Sequence, residues 1–325
     1  MVKGAKDSGA IKRFILKAIL LIGLPFTLFS AIWLYWVRKK GILDIEDKIL
    51  MRVGMLPLID HYYQPLVNPR KYLFKSLRED RDLPGIDMNV QEQLSQLSKF
   101  NYNEELLAIP LEKTDRLEYY YNCDPFCSGD AEYFYSTIRY FKPRMIVEIG
   151  SGASTLMAFN ALRQNKNDDN SYRCRHICIE PYEQPWLEAN GVEVIRMRVE
   201  MMDKSLFNEL KANDILFIDS SHMIRTQGDV LFEYLEVLPS LNPGVLIHVH
   251  DIFSPKDYLT EWVNTHNLWN EQYLLEALLS GSNSFKIIGA LNYLSHHYSK
   301  EFDEKCPVFA KRRDHEPGSF WIVKT

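Results

Sequence analysis

From Gly129 to the C-terminus, short runs of β-branched and aliphatic residues alternate with segments of helical period, and this alternation restricts the fold of the 325-residue chain most tightly. RMIVEIG, RHICIE, VEVIRM, DILFIDS and GVLIHVHD read as strands, and DAEYFYSTIRYF, STLMAFNALRQ, DVLFEYLEVLPSL and NLWNEQYLLEALL as helices. Strands joined through helices need crossover connections, which place helices on both faces of a mostly parallel sheet. Near the end, FKIIGALNYL and SFWIVK read as two more strands with a loop between them, an antiparallel hairpin that completes seven strands. The expected class is α/β, over residues 129–325.

The N-terminal part reads differently. AILLIGLPFTLFSAIWLYWV, residues 18–37, carries no charge over 20 residues, about the length that crosses a 30 Å hydrocarbon core. Trp33, Tyr35 and Trp36 followed by Arg38, Lys39 and Lys40 form an interfacial belt with basic anchors. Residues 1–40 are therefore expected to be a retained single-pass membrane anchor, with Pro25 as a potential kink. The apolar run is too long for a signal peptide, and no small-residue cleavage site follows it. Lys3, Lys6, Lys12, Arg13 and Lys17 on one flank balance Arg38, Lys39, Lys40, Lys48 and Arg52 on the other, so charge does not fix the orientation. Residues 41–128 read as an irregular helical lead-in containing the amphipathic IEDKILMRVG and the polar VQEQLSQLSKF.

A net charge of −5 without a basic, aromatic-interleaved run argues against nucleic acid as partner. Five cysteines, an odd number in a chain of this size, suit a reducing compartment. The pairs Cys123/Cys127 and Cys174/Cys178 lack the tighter C-x-x-C spacing usual for structural zinc.

The first strand-to-helix turn is VEIGSGASTL. In open α/β sheets, ligands gather at such turns beyond the carboxyl ends of the strands. Gly150 and Gly152 allow close backbone approach, and the amides of Ser151 to Ser154 open a helix N-terminus. Thr155 stands where a dinucleotide fingerprint has its third glycine. Glu148 brings a carboxylate near the turn that would repel pyrophosphate and attract an ammonium group. Glu180, ending the second strand, would suit the two hydroxyls of a ribose.

E-x-G-x-G-x-S-T resembles the first motif of class I S-adenosylmethionine (SAM)-dependent methyltransferases. Residues 129–325 (with CIEPYEQPWL, DILFIDSSHMIRTQGDV and LPSLNPGVLIHVHDIF) and the upstream LPGIDMNVQEQL are similar to methyltransferase domain family 24, the branch associated with bacterial polysaccharide and glycan biosynthesis. The resemblance implies a Rossmann-like sheet and SAM as cofactor. It implies that Glu148 faces the amino-acid end of SAM, that Gly150, Ser151, Gly152 and Ser154 pass beneath its ribose and methionine parts, and that Glu180 holds the ribose. The expected acceptor is a hydroxyl of a saccharide or lipid-linked glycan. Because SAM is cytoplasmic, the catalytic domain is expected on the cytoplasmic face with the N-terminus outside.

Transfer to oxygen needs an acceptor relieved of its proton, by a base or a metal ion. Asp219, His222, His250 and Asp251 are the candidate catalytic residues. Asp219, His250 and Asp251 resemble the Mg²⁺ triad of metal-dependent O-methyltransferases, with the histidine shifting preference towards Mn²⁺ or Fe²⁺. Relatives carry D-G-D-H where this chain has Asp219-Ser-Ser-His222, so one carboxylate is missing, and His222 or His250 acting as a base without metal is the competing expectation. His248, deeper on the strand face of His250, is expected to be structural. Two other classes remain open: an NAD(P)-dependent oxidoreductase or epimerase, disfavoured by Glu148 and by a Glu180 further downstream than the usual ~20 residues, and an idle methyltransferase fold serving as a membrane scaffold.

Overall fold

The computed structural model describes residues 3–123, 126–182, 184–313 and 315–325. The chain forms two compact units, 1–74 and 75–325, so the segment expected as a lead-in is divided between them.

In the first unit, α1 (Lys3–Lys40) runs unbroken through Pro25. Its span Lys12–Lys40 is long and apolar enough to cross a membrane, with a mean hydropathy of 2.2 over its most apolar window, none of which is buried. Next, α2 (Asp44–Val53) starts where Glu46 accepts a hydrogen bond from the Leu43 amide at 3.1 Å and stops at Gly54, whose φ of +76° a β-carbon would strain.

The second unit begins with α3 (Val90–Ser98) and then α4 (Asp130–Phe141), which leads into β1 (Met145–Ile149). The succession continues through α5 (Ala153–Asp168), β2 (Arg175–Ile179), β3 (Glu193–Ile195), β4 (Ile215–Ile218), the helical stretch α6 (229–240), β5 (Leu246–Val249), α7 (Glu271–Leu279) and β6 (Phe285–Ala290). Three short helices, α8 (Leu291–His297), α9 (Ser299–Lys305) and α10 (Pro307–Arg312), precede β7 (Phe320–Lys324). The seven strands lie in the order β3-β2-β1-β4-β5-β7-β6, and only β7 is antiparallel to its neighbours. This is the expected Rossmann-like methyltransferase class.

Alternating residues of the central strands feed two cores. Ile146 and Phe217 pack with Phe134, Met157 and Trp321 on one face; Val147, Leu216 and Ile247 pack with Val237 and Leu275 on the other. Each fully buried aliphatic or aromatic side chain contributes about 1.5–3 kcal/mol, which is why β1 reads as an unbroken apolar run apart from one acid, Glu148.

The expected loop between the last two strands is instead α8, α9 and α10. Each has only six or seven residues, too few to show a helical period. Tertiary contacts hold them: Leu291, Leu294, Phe302, Val308 and Phe309 are buried, and Glu132 of α4 accepts from the first amides of α10, Val308 at 2.7 Å and Phe309 at 2.9 Å. Burial pushes the Glu132 carboxyl up to about 7 against the pull of these amides.

Candidate active site

The sheet order reverses between β1 and β4, and the glycine turn leaves β1 at that point. The ladder continues past the strand ends: Gly150 donates to Ile179 at 3.1 Å, Asp219 to Ile149 at 2.9 Å, and His250 to Ile218 at 2.9 Å. Gly150 has φ +83°, and a β-carbon there would lie 2.0 Å from the Asp219 carbonyl oxygen, so only glycine lets β1 and β4 approach. Beside Gly152 the space is open, with no atom within 4 Å of a β-carbon position. The Ser151 Oγ atom is buried without a hydrogen-bond partner among the described residues.

Two cavities flank this turn and share Asp219. One, of about 330 Å³, is lined by Gly150, Glu180, Tyr182, Val199, Glu200 and Asp229 among others. The larger, of about 740 Å³, is bounded by Ser151 to Ser154, Gln184 and the aromatic residues Tyr120, Phe126 and Trp186. Of the tyrosine run, Tyr119 and Tyr121 are core residues that donate to the carbonyls of Phe126 (2.6 Å) and Leu106 (3.1 Å), while Tyr120 between them reaches the cavity.

The two acids expected to serve the cofactor take different places. Glu180 lines the smaller cavity and accepts from the amides of Ser151 at 3.2 Å and Tyr182 at 2.9 Å, leaving acceptor capacity on both oxygens. Glu148 lines neither cavity. It is fully buried beneath the start of α5, accepting from Thr155 Oγ1 at 2.6 Å and Ser154 Oγ at 3.3 Å, and pairing with His176 Nε2 at 2.9 Å. Burial opposes charge on His176, but the Glu148 carboxylate overrides it and raises the imidazole to about 10. Where the resemblance has Glu148 facing a ligand ammonium, the carboxylate is occupied by His176 and the first turn of α5. The Ser154 hydroxyl likewise turns inward to Glu148.

The chemical centre is a ring of acids around His222. His222 Nε2 lies 3.3 Å from Asp219 Oδ1 and 3.5 Å from Asp251 Oδ2, and its Nδ1 lies 2.8 Å from Glu271 Oε2. Burial opposes charge on His222, but Asp219 and Glu271 outweigh it and raise the ring well above its ordinary value. Burial would raise Asp219, yet His250 and His222 hold it below the usual carboxylate range, while for Asp251 burial wins and the shift is upward.

One ligand atom each from Asp219, His222 and Asp251 lies within 4.8 Å of the others, so one nitrogen and two oxygens fit a divalent cation. His250, expected in the triad, stands outside this group. It points along the β5 face shared with His248, its ring 5.4 Å from that of Phe126, and its Nε2 comes only to 3.7 Å from Asp251. His248 is structural as expected, stacked 3.9 Å from Phe217 and bonded to Ser319 Oγ at 2.8 Å. Where relatives have their second carboxylate, the Ser221 hydroxyl donates to Asp229 Oδ1 at 2.7 Å, so an acid reaches the same loop from α6.

Sequence reasoning missed His176, Asp229 and Glu271. His176 carried a signal, a titratable residue in an apolar strand; Glu271 carried none beyond its place at a helix start.

Residues 147–252 match the family model described as a methyltransferase domain. An uncharacterized protein of Archaeoglobus fulgidus is 30% identical over 205 residues, covering 58% of this chain and 90% of that protein. Among solved structures, an O-methyltransferase from Bacillus cereus in complex with SAH is similar with a TM-score of 0.37 and 16% identity, over 72% of this chain and 91% of that one. The O-methyltransferase TomG from Streptomyces achromogenes, in complex with SAM, follows at 0.36 and 15%, over 71% and 89%.

Proposed function

The chain belongs to one family with the Archaeoglobus fulgidus protein and carries a methyltransferase domain; from that premise we propose that it is a membrane-anchored enzyme transferring the methyl group of SAM to a hydroxyl of a saccharide or lipid-linked glycan. The observation that carries this reading is the pair of cavities meeting at Asp219. The smaller would hold the nucleoside half of SAM, with Glu180 accepting from its ribose hydroxyls, and the open side of Gly152 would pass its methionine half. The larger would take the acceptor, with Tyr120 and Trp186 offering faces for a sugar ring.

SAM would supply a methyl group whose carbon–sulfur bond breaks with its electron pair left on sulfur as the acceptor oxygen takes the methyl in line, and Asp219, shared by both cavities, stands where it would receive the hydroxyl proton. Both ring nitrogens of His222 face carboxylates, so as it stands His222 holds its protons and is a poor base; with a cation in place of the Nε2 proton it would serve as a ligand. Asp219, His222 and Asp251 would hold such a cation, which when bound supplies Lewis-acid polarisation of the acceptor oxygen.

Calorimetric titration of the full chain with SAM tests the reading. Wild type should bind SAM and not NADPH, and Gly152→Arg, filling the open space beside the turn, should abolish binding while the protein stays folded. Unchanged affinity in the folded variant removes the turn from the site. EDTA should stop transfer to the hydroxyl acceptor, and Mn²⁺ or Mg²⁺ restore it; full activity in chelator excludes the cation. For the anchor, the apolar α1 supports a single pass; the enzyme is assigned to the cytoplasm because SAM is made there, and a C-terminal alkaline phosphatase fusion should be silent there. Phosphatase activity would put the domain on the far side, away from its cofactor.

A further inference from the structure

We propose that Glu271 is the positioning residue that makes His222 a ligand of the cation site. The inference rests on the metal reading above and adds a residue from 49 positions downstream, together with a preference for Mn²⁺ over Mg²⁺. His222 has φ +58°, a conformation that a non-glycine residue keeps only where its surroundings impose it.

Those surroundings come from the start of α7. The amides of Asn270 and Glu271 donate to the His222 carbonyl at 3.0 and 3.3 Å, Asn270 Oδ1 accepts from Ile224 N at 2.7 Å, and the Trp269 ring lies 4.6 Å from the imidazole. The fully buried Glu271 carboxylate then takes the Nδ1 proton at 2.8 Å. With Nδ1–H committed to Glu271, only Nε2 can offer a lone pair, and it faces Asp219 Oδ1 and Asp251 Oδ2. A carboxylate behind a histidine fixes the tautomer and ring orientation and raises ligand basicity. Two oxygens and an imidazole nitrogen suit Mn²⁺, whereas Mg²⁺ prefers oxygen ligands alone.

The test is Mn²⁺ binding to the purified full chain without SAM or acceptor, read by the electron paramagnetic resonance signal of free Mn²⁺, with nitrogen modulation of the bound ion reporting imidazole ligation. Wild type should bind Mn²⁺ more tightly than Mg²⁺ and show nitrogen modulation. Glu271→Gln should weaken Mn²⁺ about 10- to 100-fold and diminish the modulation, with Glu271→Asp as the smaller perturbation should the glutamine variant not fold. In a His222→Asp background, whose site holds oxygen ligands only, Glu271→Gln should have no further effect on Mn²⁺.

Each contrary result has its own meaning. Absence of Mn²⁺ binding by wild type overturns the metal reading and this inference with it. Binding without nitrogen modulation overturns His222 as ligand while leaving a cation site. An equal loss from Glu271→Gln in both backgrounds shows that Glu271 does not act through His222 and overturns the positioning role alone.

Discussion

Glu148 and Glu180 are neighbours in the sheet with opposite fates. In the parallel register Ile149 pairs with Ile179, so Glu180 stands level with Gly150, two positions beyond Glu148 on adjoining strands. Two positions are about 6–7 Å along a strand and return the side chain to the same face, so only depth separates the two acids. At the shallower position the carboxylate meets a cavity and two loop amides. At the deeper one it is sealed under α5, where burial is tolerated because His176, Thr155 and Ser154 surround it. An acid in a strand-end motif thus meets a cavity or holds a turn according to a single pleat repeat.

The largest effect that tests this contrast is Glu148→Ala. It strands His176 in the core and should cost about 3–5 kcal/mol of stability by urea unfolding; a loss under ~1 kcal/mol would mean that the pair does not hold the turn. Next comes pH. His176 is raised from 6.5 to about 10 by folding, so its contribution is complete below pH 6.5 and is lost as pH rises towards 10. At 1.36 kcal/mol per pKa unit the loss is at most about 5 kcal/mol. His176→Gln should flatten that decline relative to wild type, and parallel profiles would break the assignment.

Smaller is Glu180→Ala, which should weaken SAM by about 1.5–3 kcal/mol in calorimetry while the ligand-free protein loses no more than about 1 kcal/mol, since water in the cavity can take over the Ser151 and Tyr182 amides. A larger loss of ligand-free stability with intact SAM binding would make Glu180 structural and erase the difference between the two acids. Smallest is Ser154→Ala. Its 3.3 Å bond to Glu148 is worth about 0.5–1 kcal/mol of stability, and SAM affinity should be unchanged; a clear loss of affinity would return the Ser154 hydroxyl to the ligand side.

The strands, the turn at Gly150 and the candidate acids at strand ends were legible because each depends on local period or on residues adjacent in the chain. The helices between β6 and β7 were not, because stretches of six or seven residues carry too little periodicity and fold only against α4 and the sheet. Glu148 and His250 lie away from their expected places for one shared reason. Both were judged by closeness to a strand end, whereas face and depth decide what a side chain meets.

By itself, then, the sequence determined a mostly parallel seven-stranded sheet, a glycine turn that no other residue can make at position 150, and an apolar helix long enough to cross a membrane. Tertiary structure alone decided which histidine joins Asp219 and Asp251. Residue 250 follows the alternation of β5 onto the face of Phe126 and His248, whereas residue 222 sits in a loop with no such constraint, turned by its left-handed backbone and fixed by Glu271 from another helix. Strand parity is written in the chain; the orientation of a loop side chain depends on a partner 49 residues away, which no local pattern records.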